Sequence, residues 1–136
     1  MPTDKDHQAL AEHNQRTIDF LLTGGDEFPD WTATVAFYKA VHLIEALLAR
    51  EYHTHGIDHA NRGRILKQEN RYTNIYRQYS ALKEASTVAR YLCESNGGRS
   101  YRTFTDYCTM ERVKSEILGS RLKELEKSIA NLKPRK

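Results

Sequence analysis

Three polar side chains that could act as acids, bases or hydrogen-bond donors share one face of an otherwise apolar segment. Tyr38, His42 and Glu45 lie in the run from Trp31 to Arg50, at intervals of four and three residues. Residues at such intervals are neighbours on one side of an α-helix. Because a helix that is apolar on nearly every side is normally buried, these groups must pair inside the protein or face a site.

Ser86, Arg90 and Tyr91 form a second candidate set, in the segment YRQYSALKEASTVARYL. Ser86 and Arg90 are one helical turn apart, and the apolar stripe beside them predicts that Arg90 is partly buried. A buried guanidinium needs a carboxylate, phosphate or carbonyl partner. Two interpretations stay open, namely an Arg90–Glu45 pair that fixes the helix register and a site that binds phosphate.

Polar side chains on two apolar helices are most easily satisfied by facing each other. We therefore expect one polar cluster between these two segments, and we expect it to perturb the pKa of its histidine. The expected members are Tyr38, His42, Glu45, Ser86, Arg90 and Tyr91, with His59 and Arg62 near the rim.

The charge is unevenly distributed along the chain, although the net charge is only +3. Residues 1–61 carry four Lys and Arg against ten Asp and Glu, whereas residues 62–102 carry nine against three. This asymmetry indicates an anionic partner or a dimer in which an acidic surface meets a basic one; simple solvation is the alternative. Basic residues interleaved with Tyr72 and Tyr76 suit a nucleic-acid backbone with stacked bases. The candidate anion-binding residues are His59, Arg62, Arg64 and Lys67, followed by Arg71 and Arg77.

His53, His55 and His59 supply enough nitrogen donors for a zinc ion. Their segment crosses Gly56, and no C-x2-C or H-E-x2-H motif accompanies them, so we expect neither a metal nor a cofactor. The chain also lacks a Ser-His-Asp order, paired carboxylates and a glycine-rich phosphate loop, which disfavours the enzyme classes built on them. Catalysis is left open.

The elements that must position these residues are all helices. Caps, glycines and apolar spacing predict an all-α domain over residues 1–132, an antiparallel bundle of four long helices and one short helix. A frayed basic tail is expected over residues 133–136. The predicted helices run from Thr3 or Asp4 to about Leu22, from Asp30 to about Tyr52, over residues 59–70 with Asp58 as the cap, from about Tyr72 to Cys93, and from Thr105 or Asp106 to about Leu132.

The start of the chain predicts a cytoplasmic location. Met1 to Gln8 is charged and has no apolar core of a signal peptide. Charged residues inside the long apolar helix argue against a membrane span. In that compartment Cys93 and Cys108 are expected to be reduced thiols.

The two helical segments resemble the HEPN superfamily of prokaryotic helical domains. The similarity extends from about Trp31 to Leu132 and covers most of the chain. Its motifs are an aromatic and alanine-rich helix, an H-x2-R connector and an ARY helix. The matching residues are Trp31, Phe37, Tyr38, Ala40, His42, Ala46, Leu48 and Ala49, then His59 and Arg62, then Tyr79, Leu82, Ser86, Ala89, Arg90 and Tyr91.

The resemblance implies a homodimer that acts with RNA or nucleotides in a toxin, defence or regulatory system. It also implies a partner such as a nucleotidyltransferase-type or antitoxin protein. Many HEPN proteins are metal-independent ribonucleases with an R-x4-6-H motif near the end of the third long helix. Here that place holds Arg90 with no histidine after it, while Arg50 and His55 match the spacing after the second helix. A non-catalytic dimerisation or protein-interaction module is the alternative function.

Overall fold

The computed structural model describes residues 2–52 and 59–133, and this part of the chain is all-α, without a strand. A 3-10 turn at Asn70–Tyr72 precedes the fourth helix, and a π-helical segment at Val113–Leu122 joins the sixth helix to the seventh. The α-helices are α1 Asp4–Leu22, α2 Pro29–Tyr52, α3 His59–Gln68, α4 Thr73–Tyr91, α5 Phe104–Tyr107, α6 Met110–Arg112 and α7 Lys123–Ala130.

The start of α1 confirms the prediction at the N-terminus. The Thr3 hydroxyl accepts a hydrogen bond from the Asp6 backbone N–H at 3.1 Å, and the Asp6 carboxylate accepts one from the Thr3 N–H at 2.8 Å. This reciprocal capping box satisfies two of the donors left free at a helix start. Hydrogen bonding of the Asp6 carboxylate to Thr3, first of all to the Thr3 backbone N–H, holds the pKa of Asp6 below its usual range.

Helix α2 is the centre of the core, as its sequence predicted. Ala36, Phe37, Ala40 and Ile44 are fully buried, and α2 contacts α1, α4, α7 and the π segment. By length and composition alone, Pro29–Glu51 could cross a membrane, but 67% of its most apolar window is buried inside the protein. Such burial is typical of the core helix of a soluble protein.

Several helix ends differ from the predictions, among them the end of α3 at Gln68 instead of residue 70, and two of them have a clear local cause. Helix α2 begins at Pro29, whose fixed φ suits a first helical position, so Asp30 stands in the first turn instead of serving as the cap. Helix α4 ends at Tyr91 instead of Cys93, because Leu92 adopts a left-handed φ of 58° and donates its N–H to Val88. The predicted cap Asp58 and the tail residues 134–136 lie outside the described residues.

The predicted last helix is wrong in its first part. The hydroxyl of Thr103 accepts from the Asp106 N–H and starts α5, whereas Cys108 is extended and breaks the helix. The hydroxyl of Thr109 then accepts from the Arg112 N–H and starts the helix again. Two threonine caps in succession therefore give a short helix followed by a long one, where the apolar pattern predicted one.

The π segment and the start of α7 bury one face with an irregular spacing of apolar residues. Val113, Ile117, Leu122 and Leu125 are buried, at successive intervals of four, five and three residues. The interval of five fits the wider turn of a π-helix, whose backbone bonds span five residues. At Gly119 an added Cβ would lie 2.9 Å from the Lys114 carbonyl oxygen, so this position needs glycine.

Both cysteines are free, in agreement with the expected thiols. Cys93 is half-buried and Cys108 is buried. Burial raises the pKa of the Cys108 thiol, which keeps it protonated at neutral pH.

Candidate functional site

Three helices meet at an ion pair in the interior, which we call the buried arginine cluster: Glu45, Arg62 and Tyr79. The Arg62 Nε atom donates to the Glu45 Oε1 atom at 2.7 Å, and the two side chains are only 6% and 4% exposed. A second guanidinium nitrogen donates to the Tyr79 hydroxyl at 3.3 Å. Burial raises the pKa of Tyr79, so its phenol stays protonated and accepts this hydrogen bond. The cluster thus connects α2, α3 and α4.

Arg62 was expected at the rim of a site, and this expectation is wrong. Leu66 lies one turn further along α3 and is fully buried, so both side chains belong to the inward face of that helix. A guanidinium buried on the inward face of its helix needs a carboxylate partner, and Glu45 provides that carboxylate.

His42 lies next to this cluster and contacts a histidine that sequence reasoning missed. The Nδ1 atoms of His7 and His42 are 3.1 Å apart, and the two rings stack with centroids 5.4 Å apart and planes at 24°. Burial lowers the pKa of His42, and the charges of His7 and Arg62 lower it further. His7 precedes buried Ala11 by one turn on α1, and this spacing was the signal that could have found it.

The other candidate arginine lies at the surface, in a group that we call the exposed arginine end: Asp30, Trp31, Arg90 and Tyr91. The Arg90 guanidinium donates to the backbone and side-chain oxygens of Ser86 at 3.2 and 3.3 Å and lies over the Tyr91 ring, 5.2 Å from its centroid. Trp31 is 59% exposed and Tyr91 is 65% exposed. A cleft of about 210 Å³ is lined by Asp30, Trp31, Thr34, Ala89 and Arg90.

The expected convergence of six polar residues is therefore wrong. Glu45 binds Arg62, and the predicted Glu45–Arg90 pair does not form. Arg90 shares its cleft with Thr34, which lies eleven residues before Glu45 on α2, or about 16 Å along the helix axis at 1.5 Å per residue. Tyr38 lies between the two places on α2 and is half-buried, its ring 5.5 Å from that of Phe37.

A basic cleft lies between α3 and α4. Its volume is about 320 Å³, and of the described residues that line it none is acidic. Lys67 places its ammonium group 5.3 Å from the centre of the Tyr76 ring. Arg64 and Lys67 were predicted, whereas Ser80 and Lys83 were missed although they continue the Tyr76 face of α4 at intervals of four and three. The lining residues are Ala60, Gly63, Arg64, Lys67, Tyr76, Tyr79, Ser80 and Lys83.

Arg71 and Tyr72 do not extend this basic surface. Tyr72 is fully buried, and both side chains bind the Glu51 carboxylate. A fully buried Tyr72 ring is not available to stack on a base, and the Arg71 guanidinium already has a carboxylate partner inside the protein.

Within the part of the chain that the structure describes, no group of three His, Cys, Asp or Glu side chains could hold a metal ion. The candidate ligands His53 and His55, the side chain of His59 and the Arg50–His55 spacing fall outside the described residues.

No protein-family model, curated protein or solved structure matches the chain.

Proposed function

We propose that this chain is an RNA- or nucleotide-binding helical module of the HEPN-like bundle type, and that the basic cleft binds the ligand. The observation that carries the proposal is the lining of the cleft: Arg64, Lys67 and Lys83 surround Tyr76, and no described carboxylate opposes them. Cations that lack such opposition attract phosphate, and an aromatic ring offers a base a stacking surface.

One residue lines the cleft without a side chain. A Cβ at Gly63 would be in ordinary van der Waals contact with the rings of Tyr76 and Tyr79, at 3.8 Å from each. The segment around the cleft is also the most basic part of the chain.

Binding should depend on salt in a way that reports the number of phosphates contacted. The slope meant here is that of the logarithm of the association constant plotted against the logarithm of the salt concentration. Three cations that each neutralise one phosphate of a single strand give a slope of about −2. We expect this slope for a short mixed-sequence RNA, measured by fluorescence anisotropy from low to moderate salt.

A matched pair of triple variants tests the site. Changing Arg64, Lys67 and Lys83 to alanine removes the cleft cations, and we expect at least a tenfold weaker affinity for the labelled RNA and a slope near zero, as follows from losing about three phosphate contacts. The control changes one Arg and two Lys at exposed positions elsewhere, namely Arg16, Lys5 and Lys123, and keeps the same net charge. Equal affinities of the two variants would refute the cleft as the site.

The same samples show whether the module cleaves RNA. A denaturing gel of mixed RNA incubated with the protein and EDTA would reveal metal-independent ribonuclease activity, and Arg90→Ala beside the unmodified chain tests the arginine of the ARY segment.

A competition experiment distinguishes a nucleotide ligand from a polynucleotide. ATP or GTP is added to the anisotropy assay as a competitor of the labelled RNA.

The second candidate function is a non-catalytic dimerisation module, and the exposed arginine end favours it. Trp, Tyr and Arg are the residues that contribute most to binding at protein interfaces. Asp30 and Arg90 place opposite charges on one patch, so a second copy related by a two-fold axis could pair each charge with its opposite.

Charge exchange tests this candidate. We expect Arg90→Asp and Asp30→Arg each to weaken self-association in sedimentation velocity, and the double exchange to restore it. If the chain stays monomeric at all concentrations up to about 100 µM, the homodimer is excluded. A dissociation constant of that size corresponds to an association free energy of only about 5.5 kcal/mol.

The proposed setting is the cytoplasm of a prokaryotic cell, in a toxin, defence or regulatory system. A nucleotidyltransferase-type or antitoxin protein encoded beside this chain is the proposed protein partner. Co-purification of the neighbouring gene product with the tagged chain tests that setting, and a neighbouring gene of another kind would argue against it.

A further inference from the structure

The stacked histidines are an unusual contact between the first two helices. His7 lies in the first turn of α1 and is 8% exposed, while His42 lies near the middle of α2 and is half-buried. Their Nδ1 atoms face each other at 3.1 Å, a normal hydrogen-bond distance. A bond between two imidazole nitrogens requires one N–H and one lone pair, so this contact forms only when the acceptor ring is neutral at Nδ1.

We propose that His7 and His42 form a proton-sensitive latch, in which one shared proton fastens the start of α1 to α2 and a further proton opens the contact. Protonation of the acceptor Nδ1 would place two N–H groups against each other at 3.1 Å and add a positive charge to the pair. It would do so beside the Arg62 guanidinium, which already carries a positive charge.

The surrounding charges set the pH range. His42 is influenced by His7 from α1 and by Arg62 from α3, while Glu45 on its own helix binds Arg62. On α1, Asp6 adjoins His7, and its lowered pKa keeps it ionised throughout the range concerned. Among the described residues, the two imidazoles are therefore the groups at this contact that change charge near neutral pH.

The sign of the effect follows from the direction of the shift. The folded-state pKa of His42 is below its ordinary value of 6.5, so the unfolded or opened state binds more protons than the closed state below that pH. The stabilising contribution is complete above pH 6.5 and is lost as the pH falls toward the folded-state pKa. Over that interval the opening constant rises by about tenfold for each pH unit.

The decisive measurement is a titration of the imidazoles in the full-length chain by two-bond ¹H–¹⁵N NMR. We expect His7 and His42 to show different tautomers at pH 7.5, consistent with one donor and one acceptor at Nδ1. We expect the first proton uptake by the pair to occur below pH 6.5, the ordinary pKa of an imidazole. His13, a third histidine of the first two helices, lies exposed on α1 and supplies the control variant.

Amide hydrogen exchange gives the structural consequence. Protection factors in the first two turns of α1 should fall as the pH drops from 7.5 to 5.5, whereas those in α4 should stay constant. In His42→Gln, which retains a neutral hydrogen-bonding side chain, this dependence should vanish, and in the control His13→Gln it should persist.

Three results would overturn the latch: first proton uptake by the pair at or above pH 6.5, α1 protection that does not change with pH, or an unchanged pH dependence in His42→Gln. The imidazole titration needs only the unmodified chain, so it decides the question even where a variant does not fold.

Discussion

Two arginines at the two ends of the α2–α4 contact show how differently one side chain can be used. Arg62 is buried, and its guanidinium is held by the Glu45 carboxylate and the Tyr79 hydroxyl. Arg90 is exposed, and its guanidinium donates to oxygens of Ser86 on its own helix and lies over the ring of the residue after it. The first joins three helices, and the second leaves its donors toward solvent or a partner.

The neighbours of each arginine along its helix explain the difference. Arg62 is followed one turn later by buried Leu66, so the packing of α3 carries the guanidinium inside. Arg90 stands at the last turn of α4, where left-handed Leu92 ends the helix and no further turn covers the side chain. Whether a charged side chain is buried therefore depends on the helix face that it occupies and also on how close it lies to the end of the helix.

The largest expected effect is on the buried side of this comparison. Arg62→Ala leaves the Glu45 carboxylate buried without its guanidinium, and we expect the free energy of unfolding to fall by about 3–5 kcal/mol. Arg90→Ala removes an exposed side chain, and the expected change is within about 0.5 kcal/mol. Urea denaturation followed by circular dichroism measures both values.

A double variant separates charge from packing at the same place. Arg62→Met with Glu45→Leu replaces the buried pair by apolar side chains of similar size, and most of the lost stability should return, because the cost of burying charge also disappears. If the double variant is no more stable than Arg62→Ala, the attraction within the Arg62–Glu45 pair exceeds the free energy needed to bury its two charges.

An intermediate effect is expected from the hydroxyl that completes the cluster. Tyr79→Phe keeps the ring but removes the acceptor of the 3.3 Å bond from Arg62, and we expect a loss of about 1–2 kcal/mol. Tyr91→Phe at the exposed end is the matched control and should be neutral. If the two phenylalanine variants melt alike, the hydroxyl of Tyr79 is not part of the buried network.

The smallest expected effect concerns Ser86, a buried residue next to the exposed arginine. Ser86→Ala removes an acceptor for Arg90, but water can replace it at an exposed guanidinium, so we expect a loss below about 1 kcal/mol. The exposed Ser80→Ala on the same helix provides the reference. A loss as large as that of Tyr79→Phe would mean that Arg90 is held more firmly than its exposure indicates.

Local signals predicted most helices of the fold. Thr3 or Asp4 was expected to cap α1, and the structure has Thr3 as the cap. The all-round apolar character of Trp31–Arg50 predicted the central position of α2. The break at Cys108 was missed, because Thr103 and Thr109 are both good caps and the apolar pattern alone does not show that each is used. Whether a capping residue starts a helix also depends on how the residues around it pack in the bundle.

The candidate site was harder to predict, since helical spacing gives the face of a side chain but not its partner on another helix. Tyr38, His42 and Glu45 were placed on one face of α2, yet nothing in the spacing distinguished Arg62 from Arg90 as the partner of Glu45. His7 was overlooked because its partner is 35 residues away. Arg64 and Lys67 were found because the cleft that they line is local to α3 and α4.

The π segment is the place where the fold can most easily accommodate the loss of a residue. In an α-helix a deleted residue rotates everything beyond it by about 100°, given 3.6 residues per turn. A wide π turn holds surplus backbone, so a deletion there can be absorbed when the turn tightens to an α turn, with Leu125 still facing the core. Gly119, where a side chain would strike the Lys114 carbonyl, is the natural residue to omit. Insertions and deletions in relatives of this chain should therefore gather between Val113 and Leu122 and be rare in α2.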